Sequence, residues 1–132
     1  MRIGVDLTEV ARIERIAVHP AGRRLAFTDA ELAHADSLGP VRRVEFLAGR
    51  FCAKEAVAKV LGHGLGQGLV WRDIEVLYDP LGAPAVRLDG GAGGLAERAG
   101  IERIDLSLSH TGGFVVGVAI AQFRAAGAGT GP

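Results

Sequence analysis

Val41-Arg42-Arg43-Val44-Glu45-Phe46-Leu47-Ala48-Gly49-Arg50-Phe51-Cys52-Ala53-Lys54-Glu55-Ala56-Val57-Ala58-Lys59-Val60-Leu61 is the longest periodic stretch of the chain. Its apolar residues Val44, Leu47, Phe51, Ala56, Val57, Val60 and Leu61 approximate a helical repeat, and Gly62 is a natural stop. The reading is a long central helix that forms the spine of the domain.

Toward the N-terminus, residues 2–6 read as a short buried strand ending at Asp6. Leu7-Thr8-Glu9 then leads into an amphipathic helix with Val10, Ile13 and Ile16 on one face, for which Thr8 is the expected N-cap. Pro20 and Gly22 are expected to close that helix, and Thr28 or Asp29 to cap a short second one from Ala30 to Leu38. Toward the C-terminus, Gly62 to Gly68 reads as a flexible loop. Asp73 to Asp79 and Ala85 to Leu88 read as two strands of a hairpin, turned by Pro80-Leu81-Gly82-Ala83-Pro84. A helix from Gly94 to Ala99 and a second hairpin follow, Ile101 to Ser109 and Phe114 to Phe123, joined by His110-Thr111-Gly112-Gly113. The order β-α-α-α-β-β-α-β-β implies an α+β fold with a largely antiparallel sheet and a long central helix. One domain is expected over residues 1–124, with a disordered Gly/Ala-rich tail over residues 125–132.

Composition limits the function classes. The chain has 132 residues, 48% apolar and 23% charged, which suits one small globular domain. Fifteen basic and fifteen acidic residues cancel, so the chain lacks the overall charge of a nucleic-acid binder. A single cysteine, Cys52, excludes an internal disulfide and fits a reducing cytoplasm; its apolar neighbours make it a core filler rather than a reactive thiol. No uncharged run approaches the ~18 residues of a membrane span, and the N-terminus lacks a signal-peptide core, so a cytoplasmic protein is expected.

Of the 15 basic residues, 13 are arginine, and the two lysines, Lys54 and Lys59, fall five residues apart in the central helix. Lysine supplies a compact, mobile ammonium that arginine does not. Helical spacing puts Glu55 one turn from Lys59, and Arg50 one turn from Lys54. A carboxylate beside an ammonium can hold a divalent cation and a phosphate oxygen together; the alternative is an ordinary exposed helix pair contributing about 0.2–0.5 kcal/mol. Asp6, ending a strand, is either a second metal carboxylate or a cap for the next helix. Ser109 and His110 are adjacent on a strand and point to opposite faces, and no G-x-S-x-G elbow is present, which argues against a Ser–His hydrolase. The Gly62–Gly68 loop follows a helix and precedes a strand, the wrong order for a P-loop. Arg12, Arg15, Arg23 and Arg24 form a local basic patch that suits an acidic partner or simply a solvated face.

Four segments taken in order, Ile3-Gly4-Val5-Asp6-Leu7-Thr8-Glu9-Val10-Ala11-Arg12-Ile13-Glu14, Arg50 to Lys59, Trp71 to Val76, and Ser107-Leu108-Ser109-His110, resemble the holo-acyl-carrier-protein synthase family of 4'-phosphopantetheinyl transferases. The resemblance runs from about residue 2 to residue 122 and implies that fold. It implies Mg2+-dependent transfer of 4'-phosphopantetheine from coenzyme A to a serine of an apo acyl carrier protein, releasing 3',5'-ADP; carriers of fatty acid, polyketide and peptide synthesis all fit. By position it implies Asp6 and Glu55 as metal carboxylates, Lys59 at the reacting phosphates, and Glu55, Lys59 and His110 as catalytic candidates. Arg50, Lys54, Lys59, Gly62, His63, Gly64, Ser109 and His110 are implied contacts of coenzyme A, and Arg12 and Arg15 contacts of the carrier. Members of this length resemble homotrimers with active sites between subunits, Asp6 and Glu55 coming from one chain and His110 from another. The chain departs from the family after His110, where Thr111-Gly112-Gly113-Phe114 stands in place of further polar residues.

Overall fold

The computed structural model describes residues 1–62 and 68–125. In chain order its elements are β1 (Arg2–Glu9), α1 (Val10–Ala17), α2 (Pro20–Ala26), α3 (Asp29–Asp36), α4 (Pro40–Leu61), a single 3-10 turn (Trp71–Asp73), β2 (Ile74–Tyr78), β3 (Pro84–Leu88), α5 (Gly90–Ala99), β4 (Ile101–Thr111) and β5 (Phe114–Phe123). The fold is α+β with antiparallel pairing throughout, and the expected single sheet divides into two. One has the strand order β1-β5-β4; the other is the β2-β3 ribbon.

Helix α4 is the spine. Pro40 opens it at a position that needs no N–H, and Gly62 closes it in the left-handed conformation (φ 80°). The C-terminal half packs on the three-stranded sheet, the ribbon and α5 through Val57, Val60, Ile74, Val76 and Ala119. The N-terminal half packs against the first three helices through Ile13, Phe27, Ala35, Leu47 and Phe51. Two glycines set the approach of α4 to the sheet: a Cβ on Gly4 would run into the Ala56 carbonyl oxygen, and one on Gly117 would stand 3.1 Å from Cys52 Sγ.

Three local expectations are corrected. Strand β1 continues to Glu9, so Thr8 is a buried strand residue rather than a helix cap; its β-branched side chain packs inward and donates to Asp6 Oδ2. Pro20 does not end a helix but begins one, α2, at its first position. His110 and Thr111 belong to β4, because Gly112 and Gly113 (φ 55° and 79°) alone make a two-residue turn matched to strand twist. Thr28 does cap α3, through a reciprocal capping box with Glu31.

Even-numbered residues of β1 (Gly4, Asp6, Thr8) face α4, as do the odd-numbered residues of β5 and Leu106, Leu108 and His110 of β4. The opposite face of the sheet carries Ile3, Val5, Leu7, Phe114 and Val116, all exposed, with Leu7 at 66%. Among the described residues no helix is long and apolar enough to cross a membrane.

Candidate active site

Alternation along β1 turns Asp6 toward α4, where Glu55 and Lys59 stand one helical turn apart. Asp6 Oδ2 accepts a 2.7 Å hydrogen bond from Thr8 Oγ1. Its other oxygen, Oδ1, lies 3.4 Å from Lys59 Nζ, which also donates to the Val5 carbonyl at 2.7 Å. Glu55 is half-buried; burial first, and then the negative charge of Asp6, hold its carboxyl above the ordinary value, while Arg12 and Lys59 oppose the shift. Glu55 therefore sits beside a second carboxylate, with the Lys59 ammonium and the Arg12 guanidinium as the neighbouring cations.

Among the described residues no group of three or more His, Cys, Asp or Glu side chains could hold a metal ion. The donor set suits Mg2+ nonetheless, because that ion takes one or two carboxylate oxygens and completes its shell with water and substrate phosphates. Asp6 and Glu55 offer carboxylate oxygens, the donor type that ion takes. Cys52 lies beneath the site, with Sγ 3.3 Å from the Asp6 carbonyl oxygen; burial pushes its thiol up to about 11, as a core filler requires.

Arg12 of α1 reaches over the Phe51 ring (5.6 Å), and Phe51 stacks on Trp71 (4.4 Å). Arg12 is close enough to Glu55 for its charge to oppose the rise in that carboxyl's pKa, and it lies on the helix expected to meet a partner. Arg15, exposed on the same helix, makes no ion pair among the described residues.

His110 does not join this cluster within the protomer. It faces Val115 on β5, which faces Thr8 on β1, so two strand spacings, about 10 Å, separate His110 from β1. Its imidazole covers Gly49 of α4, where a Cβ would stand 3.4 Å from the ring. Arg50 shares that side: at about 100° per residue it sits roughly 140° around α4 from Glu55. A cavity of about 230 Å³ opens there, lined by His34, Arg42, Glu45, Arg50, Tyr78 and His110. Arg50 is its floor, buried between the rings of Phe46 (4.2 Å) and Tyr78 (4.6 Å), with Nε donating to the Val76 carbonyl at 3.0 Å. Desolvation lowers its pKa.

Lys54 is a correction. It does not share a ligand-facing surface with Arg50: its side chain is fully buried, 2.7 Å from the equally buried Glu31 carboxylate, and it donates to the Trp71 carbonyl. Glu31 also accepts from the Thr28 and Val76 amides, which ties α3, α4 and β2 together. No ligand reaches this ammonium while the core is intact. Ser109 points to the outer face of the sheet, away from His110, as alternation requires. Gly62 is the α4 cap; His63 and Gly64, like the rest of the expected loop through residue 67 and the tail from residue 126, lie outside the described residues.

Sequence reasoning missed Glu31, although its capping-box position three residues after Thr28 was a usable signal. It also missed His34, Arg42 and Tyr78, which lie on three different elements and meet only in the folded chain.

The family model of the 4'-phosphopantetheinyl transferase superfamily matches residues 2–119. The chain is 41% identical over 123 residues to a holo-[acyl-carrier-protein] synthase of Moorella thermoacetica, an overlap of 92% of this chain and 94% of that one. The fold superposes on the holo-[acyl-carrier-protein] synthase of Neisseria meningitidis with a TM-score of 0.81 at 32% identity, covering 91% and 96% of the two chains. It also superposes on the Bacillus anthracis synthase in complex with CoA (3',5'-ADP), with a TM-score of 0.75 at 33% identity over 90% and 93%.

Proposed function

The chain belongs to the 4'-phosphopantetheinyl transferase superfamily and transfers 4'-phosphopantetheine from coenzyme A to a serine of an apo acyl carrier protein; we propose that Asp6, Glu55 and Lys59 form its reacting centre. The observation that carries this reading is the convergence of two carboxylates and one ammonium where β1 meets α4. Asp6 and Glu55 would hold a Mg2+ ion, which when bound would offset charge on the phosphorus under attack and on the departing phosphate.

The chain's own groups do the rest. Lys59 exchanges the Val5 carbonyl for a phosphate oxygen, a stronger acceptor because it is charged. The carrier serine oxygen attacks the phosphorus that bears pantetheine. The bond from that phosphorus to the 3',5'-ADP oxygen breaks, its electron pair leaves with 3',5'-ADP, and the serine proton passes to the Glu55 carboxylate. Arg12 and Arg15 are proposed to orient the acidic carrier; Arg12, beside Glu55, would direct the serine to the centre. His110 and Arg50 are proposed to bound the nucleotide end of coenzyme A, and Gly62, His63 and Gly64 are proposed as further contacts of that molecule.

A homotrimer is part of the proposal. His110 and Arg50 stand on the other side of α4 from Glu55, so one coenzyme A molecule meets both sets most simply where two protomers adjoin. The exposed Ile3, Val5, Leu7, Phe114 and Val116 supply an apolar face for such contact, which would also cover Ser109. A cytoplasmic setting, where coenzyme A and carriers are found together, completes the reading.

The metal site is tested by calorimetry of Mg2+ binding in the presence of coenzyme A. Wild type should bind the ion, and Asp6→Asn should lose that heat while keeping its circular dichroism spectrum. Equal Mg2+ binding by Asp6→Asn would remove Asp6 from the site.

A further inference from the structure

Asp6 is anchored from beneath at two points. Its carboxylate oxygen Oδ2 accepts from Thr8 Oγ1 at 2.7 Å, and its carbonyl oxygen lies 3.3 Å from Cys52 Sγ, which is itself within hydrogen-bond reach of the Thr8 hydroxyl. Thr8 is 2% exposed, opposite Val115 on β5 and facing α4. Alternation along β1 puts residues 6 and 8 on one face, so the contact is a property of the strand itself.

A side chain kept here for packing alone could be valine, which has the same shape and a similar strand preference and brings no polar atom to satisfy. Threonine adds a hydroxyl that is already aimed, because branching at Cβ restricts χ1. The two oxygens of Asp6 are unequal as a result. Oδ2 is committed to Thr8, while Oδ1 faces the half-exposed Lys59 Nζ at 3.4 Å, and that ammonium is held more closely by the Val5 carbonyl at 2.7 Å. Oδ1 is thus the oxygen that can be given over to a cation.

We propose that Thr8 is a positioning residue that fixes the Asp6 carboxylate and leaves Oδ1 as its metal-facing oxygen. The inference rests on Asp6 as a metal carboxylate. A hydrogen bond to a ligand from a residue that does not touch the metal sets the ligand's orientation before the ion arrives. A carboxylate that offers one oxygen also leaves room for the waters and phosphate oxygens with which Mg2+ completes its shell.

The test is calorimetry of Mg2+ binding in the presence of coenzyme A, with thermal melts, for wild type, Thr8→Val and Thr8→Ser. Valine keeps the shape and removes the hydroxyl; serine keeps the hydroxyl and removes a buried methyl. Thr8→Val should bind Mg2+ about 10- to 100-fold more weakly than wild type, while its melting temperature moves little. Thr8→Ser should melt lower than Thr8→Val, from the lost methyl and the weaker strand preference, yet bind Mg2+ within about threefold of wild type. In transfer assays Thr8→Val should need correspondingly more Mg2+ for half-maximal rate, with kcat at saturating Mg2+ changed less. A purely structural role predicts the reverse ranking of the two variants. Unchanged Mg2+ affinity in Thr8→Val, or equal loss in both variants, would overturn the assignment and leave Asp6 as a metal carboxylate. Mg2+ binding that survives Asp6→Asn would instead overturn the reading of Asp6 on which the assignment rests.

Discussion

Lys59 Nζ stands 3.4 Å from Asp6 Oδ1 and 2.7 Å from the carbonyl of the preceding residue, Val5. The ammonium is thus held at the strand that presents Asp6, yet it remains half-exposed and makes no buried pair. Such an exposed ion pair contributes about 0–1 kcal/mol to stability. Lys59→Ala should therefore remove transfer while moving the melting temperature little. Thermal melts paired with initial-rate assays check this; a variant that melts far below wild type would make Lys59 structural.

Glu55 offers a sign-specific test. Its folded-state pKa lies above the ordinary 4.5, through burial and the charge of Asp6. Proton binding therefore favours the fold at acid pH, that contribution is lost as pH rises through the folded value, and at neutral pH the ionised Glu55 is destabilising. Glu55→Gln should abolish transfer yet melt higher than wild type at neutral pH, with the gain disappearing below the unfolded carboxylate value. Melting curves of metal-free protein across that range read the effect; a lower melting temperature for the variant at neutral pH would contradict it.

The Lys54–Glu31 pair should behave as core. Glu31→Gln leaves a buried ammonium without its counter-charge and should cost about 3–5 kcal/mol in urea unfolding. Adding Lys54→Met should recover most of that loss. Coenzyme A affinity of the double variant should match wild type, and a large specific loss of affinity would return Lys54 to the ligand site.

Close contact of α4 with the sheet gives a fourth prediction. Gly4→Ala drives a methyl into the Ala56 carbonyl, so helix or strand must shift, at about 1–3 kcal/mol, and Asp6 and Lys59 shift with them. Gly39→Ala, where a Cβ meets nothing within 4 Å, is the control and should stay within about 0.5 kcal/mol of wild type. Equal stability and equal activity of the two variants would refute the tight-packing account.

Much of the fold was legible because its punctuation is local. Gly62 and Thr28 act through their own backbone and capping preferences, and α4 ends and α3 begins within a residue of where the sequence puts them, whereas the second hairpin's turn is two residues shorter than expected. Pro20 misled because proline both ends helices and begins them, and only the packing of α2 decides which. Pattern puts Asp6 at a strand and Glu55 and Lys59 one helical turn apart, and the fold brings the three together where β1 meets α4. The place of Lys54 was not legible, since helical spacing relates side chains to each other without saying which face the core takes; the partner that decides it, Glu31, comes from another helix. His34, Arg42 and Tyr78 were invisible for the same reason, being brought together by the packing of α3 and β2 on α4.

Intact-mass spectrometry of an apo acyl carrier protein, incubated with this protein, coenzyme A and Mg2+ and with an EDTA control, tests the central claim most directly. The account predicts a gain of one phosphopantetheine on the carrier, dependent on the metal and absent with Glu55→Gln. A carrier whose mass stays unchanged with folded wild-type protein, or one modified equally well by Glu55→Gln, would contradict it.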